Sequence, residues 1–362
     1  MRESATDKED LDRVVGTAAA VAPRQEFFMR RSRVLGTGRY VPPRVVTNFD
    51  VMQMMETSNE FIVARTGVER RRHVEPHESA SDLAARACQA AVDNAGLQMH
   101  QINLVIMNTI TPDHADPGCA FFLQPKLGLS GIPVLDIRQQ CAGLIYGISL
   151  ADHFVRAGTY DHVLVVCSEV LSKRIDGSYD GRNIAILLGD GAGAVVVGPE
   201  SKESPRGIHS TILHADGSSA KLLYTAAPGS GLERADHLNH EDIDAGRIHF
   251  RMDGRAVFEN GVARMSESLF ESLAVNGLSM DDIDVLIPHQ ANLRMLEAII
   301  ERTAFPRDKV FINVHEYGNI ASASLPIAFH EARQAGMIRD GSTCLLVAFG
   351  SGFVWGSVLL RM

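Results

Sequence analysis

The stretch GLQMHQINLVI at residues 96–106 returns in altered form as GLSMDDIDVLI at residues 277–287. Five of the eleven aligned positions are identical, and the apolar pattern matches throughout. The same offset, half of the 362-residue chain, lays VLVVC (163–167) over CLLVA (344–348). Two matches at one such offset predict a fold built from two similar halves, whereas a solenoid repeats every ~20–50 residues. The halves are placed at 33–205 and 206–362, after a disordered N-terminal tail over 1–32.

Working outward, each half alternates short β-branched runs with helical patterns. LVIMN (104–108), VLVVC, GAVVVG (193–198), DVLIP (284–288) and CLLVAF (344–349) have the length of buried strands. Leu144, Ile148, Ala151 and Val155 recur at i, i+4, i+7 and i+11, the face of a helix over 144–155. Such alternation predicts an α/β fold with mostly parallel sheets covered on both faces. The stretch 200–245, rich in Ser, Gly, His and Asp, has no clear period and reads as a connection between the halves. GDGAGA (189–194) lacks the Lys-Ser/Thr of a phosphate loop and reads as a tight turn opening into a strand.

Composition narrows the function. With 45% hydrophobic and 22% charged residues the chain is neither disordered nor a membrane protein, and no apolar run approaches the ~18–20 residues of a spanning helix. A formal charge of −9 and a single Trp argue against nucleic-acid binding. Residues 14–22 are apolar like the core of an export signal, but five acids against three bases precede them, the wrong sign for export. Cys88, Cys119, Cys141, Cys167 and Cys344 are odd in number, scattered and without a C-x-x-C pair. They predict a reducing cytoplasm, with no disulfide framework and no zinc site. His237 and His240 in HLNHED have no third histidine nearby in sequence, so no metal is expected there.

Three residues could carry chemistry. Cys141 lies between an apolar run at 133–137 and the start of the predicted helix. The positive end of the helix dipole there predicts a thiol with lowered pKa, although a small buried cysteine in a cap fits the same place. His289 ends the strand DVLIP, and Asn319 follows the strand-like VFINV. Carboxyl ends of buried strands are where α/β sheets place ligands, and Cys, His and Asn together make a nucleophile with two donors. FGSGF (349–353) serves either an oxyanion or a turn.

QCAGLIYG around Cys141, PHQANLR around His289, YGNIASAS around Asn319 and the terminal FGSGFVWGS resemble the β-ketoacyl-acyl-carrier-protein synthase III family of the thiolase superfamily. ARTGVERRR (64–72) and VLGTGRYVPPRVVTN (34–48) extend the resemblance over residues 33–362. It implies a thiolase-like αβαβα layered fold, a homodimer, and decarboxylative Claisen condensation in fatty-acid or related secondary-metabolite biosynthesis. Its substrates would be an acyl-CoA starter and malonyl-acyl carrier protein, with no cofactor. Cys141 would carry the acyl group, His289 and Asn319 would donate to the malonyl thioester oxygen, and the backbone N–H groups of Cys141 and Ser351 would hold the oxyanion. Thr57, Phe61, Arg65, Arg182 and Asn292 would meet CoA or substrate, and Arg294 would dock the carrier protein.

Several positions depart from the family pattern. Phe61 stands where a Trp is usual, and the loop DGSYDGRN (176–183) that carries Arg182 is about one residue longer than usual. Asp116 replaces a Phe of the acyl pocket, Glu259 an often basic docking residue, and Ser351 the middle glycine of FGGGF. These exchanges suit a specialised relative. Two other readings stand beside condensation: acyl transfer from Cys141 without decarboxylation, and a non-catalytic partner subunit, which would be expected to lose one of the three residues.

Overall fold

The computed structural model describes residues 30–362. Most of the tail assigned to 1–32 therefore lies outside the described residues, although the first strand already begins at Arg31. Five strands form the first sheet: β1 (Arg31–Tyr40), β2 (Leu104–Asn108), β3 (Val134–Ile137), β4 (Val163–Val170) and β5 (Asp190–Glu200), in the order β1-β5-β4-β2-β3. Four form the second: β6 (Gly207–Ala215), β7 (Val285–Pro288), β8 (Thr343–Gly350) and β9 (Val354–Arg361), in the order β7-β8-β9-β6. Reversed, this reads β6-β9-β8-β7 and repeats β1-β5-β4-β2 strand for strand. The fifth strand of the second sheet is reduced to one parallel bridge between Leu286 and Val310.

The helices are α1 (Asn59–Thr66), α2 (Ala80–Asn94), α3 (Cys119–Lys126), α4 (Gly143–Arg156), α5 (Gly254–Asn276), α6 (Leu293–Thr303) and α7 (Ser324–Gln334). Strand alternation sorts them into layers, because successive side chains leave opposite faces of a sheet. Leu104, Ile106, Val163 and Val165 of one sheet and Val285, Ile287 and Leu346 of the other point inward onto α4 and α7. Val105, Met107, Leu164 and Val166 point outward onto α2 and α3. Leu286, Leu345 and Val347 do the same onto α5 and α6. The result is five layers, αβαβα. At ~1.5–3 kcal/mol per fully buried Leu, Ile or Val, the central layer dominates the hydrophobic stabilisation. Because α4 meets a sheet on either side, it buries Ile145 and Gly147 as well as the predicted stripe.

Three sequence expectations change. The sheets are mixed rather than mostly parallel: β2 pairs in parallel with β3 and β4, and β7 with β8, but β1–β5, β4–β5, β8–β9 and β9–β6 are antiparallel. The short link between β8 and β9 leaves no room for the crossover that a parallel pair needs. The stretch 200–245 contains β6, an edge strand whose half-exposed polar residues hide its period. Within GDGAGA, residues 190–194 are strand rather than turn. Their glycines serve close packing: a Cβ on Gly193 would stand 2.7 Å from Pro326 Cβ and 2.9 Å from Ile327 N of α7.

Gly193→Ala is therefore expected to lower stability by about 1–3 kcal/mol, through overpacking of β5 against α7. Gly217→Ala, with nothing within 4 Å, serves as the control and should stay within ~0.5 kcal/mol. Urea unfolding of both variants checks this, and equal stabilities would mean that α7 does not press on β5.

Candidate active site

Cys141 enters α4 through one tight turn, Gln140–Ala142. Gln140 has φ of 49°, a left-handed conformation that costs a non-glycine residue about 1–3 kcal/mol unless its surroundings enforce it. Asn108, buried at the end of β2, supplies that enforcement. Its Oδ1 accepts from Gln139 N–H at 2.8 Å and its Nδ2 donates to Gln140 O at 3.4 Å. From the other half, a Cβ on Gly350 at the end of β8 would stand 2.8 Å from Cys141 N, so only glycine admits the Cys141 backbone there. The Cys141 side chain packs against the cluster of Leu171, Leu188 and Ala321 and keeps an accessible face.

The expected lowering of the thiol pKa is not found. Burial pushes Cys141 up to about 12, aided by the nearby charge of Glu169, and the helix-start N–H offsets only part of this. An apolar wall and a like charge outweigh a dipole end. In the free protein the sulfur is a thiol.

His289 follows β7 and its N–H donates to Val347 O of β8 at 2.8 Å. It is 2% exposed, and burial lowers its pKa to about 4, which leaves a neutral imidazole. Among the described residues Nδ1 has no hydrogen-bond partner. Asn319 is held by its backbone, donating to Leu187 O at 2.7 Å and accepting from Gly189 N–H at 3.2 Å. Its Oδ1 accepts from Ala321 N–H at 2.8 Å, which commits the oxygen and leaves the NH2 as the group to present. Ala321 touches the cluster that holds Cys141, and β8 touches both Cys141 and His289. Contacts across the two halves thus link all three residues. A neutral imidazole and an amide NH2 can donate to a developing oxyanion without supplying a full proton.

The residues assigned to CoA separate into two groups. Phe61 on α1 lies under two guanidinium groups, Arg65 at 5.2 Å and Arg182 at 5.0 Å from its ring centroid. Arg182 also covers Tyr179 at 3.9 Å and donates to Glu56 O at 3.2 Å. Thr57 Oγ1, beside them in sequence, is buried and has no partner among the described residues. Asn292 instead caps α6, its Oδ1 accepting from Met295 N–H at 2.9 Å. Arg294 is exposed on the first turn of α6, Asp116 is exposed on the loop before α3, and Glu259 is exposed and paired with Arg255 at 2.8 Å. Ser351 lies in the turn between β8 and β9. In HLNHED, Asp242 is taken up by the cap with Asn239 and by Arg234 and Arg247. Sequence reasoning missed Asn108 and Glu169. The available signal was a polar residue inside or ending an otherwise apolar buried strand.

Fold and site together define a thiolase-like condensing enzyme. Two family profiles match: "3-Oxoacyl-[acyl-carrier-protein (ACP)] synthase III" over residues 135–217 and its C-terminal counterpart over residues 273–362. The beta-ketoacyl-[acyl-carrier-protein] synthase III of Methylococcus capsulatus is 43% identical, covering 92% of this chain and 99% of its own. The solved 3-oxoacyl-[acyl-carrier-protein] synthase III of Aquifex aeolicus is 36% identical with TM-score 0.82, over 91% of this chain and 100% of that one. The priming β-ketosynthase of the R1128 polyketide pathway is 32% identical with TM-score 0.82, over 92% and 96%. The chain belongs to the β-ketoacyl-acyl-carrier-protein synthase III family. No helix among the described residues is long and apolar enough to cross a membrane.

Iodoacetamide should label Cys141 alone. Cys88, Cys167 and Cys344 are 0% exposed and Cys119 is 1% exposed, and burial raises the pKa of all four thiols. Because Cys141 is itself pushed up to about 12, its labelling rate should climb throughout pH 7–9 without a plateau. Peptide mapping with a pH series measures both, and a plateau near pH 7 would mean a thiolate in the resting protein.

Proposed function

We propose that the chain condenses an acyl-CoA starter with malonyl-acyl carrier protein, as an acyltransferase whose thiol carries the starter. The observation that carries this reading is the pair of neutral donors linked to Cys141: a buried imidazole and an amide whose oxygen is already committed. Cys141 Sγ attacks the thioester carbonyl, the C–S bond to CoA breaks, and CoA leaves with the thiol proton. Malonyl-carrier protein then loses CO2, and the electron pair of the broken bond becomes an enolate. His289 and Asn319 donate to its oxygen. The enolate carbon bonds to the acyl carbon, Cys141 leaves as thiolate, and a 3-oxoacyl thioester results. No cofactor enters this scheme. Transfer without decarboxylation would give paired enolate donors nothing to stabilise.

Phe61, Arg65 and Arg182 form the surface assigned to CoA, since guanidinium groups meet phosphates and an aromatic face meets the base. Asn292 lends only its NH2 to substrate, and Arg294 offers an exposed positive charge to an acidic carrier protein. Backbone N–H groups of Cys141 and Ser351 serve the oxyanion of the transfer steps. The homodimer is supported by the free edge strand β3, where Leu135 is 37% exposed, and by Phe121 on α3 at 55%. Five free cysteines accord with a cytoplasmic setting.

His289→Ala or Asn319→Ala should cut CO2 release from malonyl thioester about 10²–10³-fold while Cys141 acylation survives better. With His289 neutral down to about pH 4, the parent's decarboxylation should show no acid limb near pH 6.5. Labelled CO2 release and mass spectrometry of acylated Cys141 separate the two half-reactions. Parent protein that acylates yet releases no CO2 is a plain acyltransferase.

Asp116 governs the starter in this reading. Exposed on its loop in place of an apolar wall, the carboxylate either opens the acyl pocket to solvent or meets a polar or bulky group on the acyl chain, so acetyl-CoA should be a poorer substrate than longer or functionalised acyl-CoAs. Asp116→Phe should move kcat/KM back toward acetyl. If the parent prefers acetyl-CoA and the variant changes nothing, Asp116 has no role in starter choice.

A further inference from the structure

The offset that superposes the two halves also superposes Cys141 on Ser322, Gln140 on Ala321, and Glu169 on Gly350. The structure repeats the correspondence. Gln140–Ala142 and Ala321–Ala323 are equivalent tight turns before α4 and α7, and Gln140 and Ala321 share a positive φ of 49° and 41°. Ser322 is thus the internal counterpart of the nucleophile. It is 0% exposed and hydrogen-bonded to Glu169, the counterpart of the glycine that admits Cys141.

Glu169 is itself 0% exposed. Besides Ser322 Oγ on its Oε1, its Oε2 accepts from Ile110 N–H at 3.1 Å, Thr111 Oγ1 at 2.9 Å and Thr109 Oγ1 at 3.3 Å. Thr111 Oγ1 also accepts from Val170 N–H at 2.8 Å, which commits its proton to the carboxylate. One side chain therefore ties the loop after β2 to the turn that begins at Asn319. That turn has a second clasp, Ile320 N–H to Ser324 Oγ at 2.8 Å within the turn, and Asn319 at its start is tied by backbone bonds to Leu187 and Gly189, so Glu169 fixes the part of the turn beyond Asn319.

We propose that Glu169 is a positioning residue for condensation, holding the Asn319 turn through Ser322 and locking it to the half that carries Cys141. The inference rests on the condensation reading for its consequence in catalysis. Shortening the side chain by one methylene, or removing the Ser322 hydroxyl, releases the far end of the turn, where Ala321 N–H holds Asn319 Oδ1, without touching Asn319 itself. An amide displaced by a fraction of an ångström loses its alignment with the enolate oxygen. The charged and titratable groups that sense Glu169 are Cys141, Cys167 and Arg174. Cys167 is fully buried and Arg174 stays charged, so Cys141 reports the carboxylate's charge.

The test compares parent, Ser322→Ala, Glu169→Asp and Glu169→Gln. Ser322→Ala and Glu169→Asp should lower kcat for malonyl decarboxylation on the order of 10–100-fold, with KM little changed and Cys141 acylation nearly intact. Glu169→Gln should shift the pH profile of Cys141 alkylation to lower pH, because the negative charge is gone. A merely structural role would lower both half-reactions in step with the folded fraction. Equal loss of both half-reactions, or unchanged kcat in Ser322→Ala, overturns the proposal. If Glu169→Asp fails to fold by circular dichroism, Ser322→Ala, which removes only one hydroxyl, decides. Parent protein without CO2 release overturns the condensation reading instead, and the alkylation profile of Glu169→Gln then decides whether Glu169 faces the thiol.

Discussion

Two helices buried between two sheets govern the rest of this molecule. Neither α4 nor α7 has a wet face wide enough to slide, because each meets inward-pointing strand residues on either side. Their N-termini begin at Gly143 and Ser324, so the central layer places the Cys141 turn and the turn after Asn319 in equivalent positions. A packed interior transmits displacement rather than absorbing it. Site geometry here is therefore a property of the core.

The electrostatic character of the site follows from the same burial. A thiol pushed up to about 12 and a histidine held down to about 4 are both neutral groups at ordinary pH. These two groups carry no charge of their own until substrate brings it, which is where preorganised donors contribute most. The one buried carboxylate nearby, Glu169, is raised to about 7 by burial despite its donors. Its charge is thus weakly held near neutrality.

Much of this was legible in the residues. The β-branched runs are strands, the 144–155 pattern is a helix, and the Cys, His and Asn motifs mark three residues that contacts across the halves connect. Strand direction was less legible, because β-branched runs look alike in parallel and antiparallel pairs. GDGAGA misled because glycine in a strand can mark a close helix as well as a turn. The sign of the Cys141 shift depended first on burial and then on Glu169, and neither shows in the residues around Cys141. Asn292, expected at a ligand, also caps a helix through Oδ1, a use that the sequence did not show because Asn meets either demand.

The exchange of Gly350 for Glu169 at matched positions has a stoichiometric meaning. At one turn the missing side chain leaves the sulfur an accessible face. At the other a full side chain fills the corresponding volume and shuts the hydroxyl away. A fold that repeats its architecture twice thereby offers one accessible thiol and one enclosed hydroxyl, a single open position per chain where the repeat would allow two.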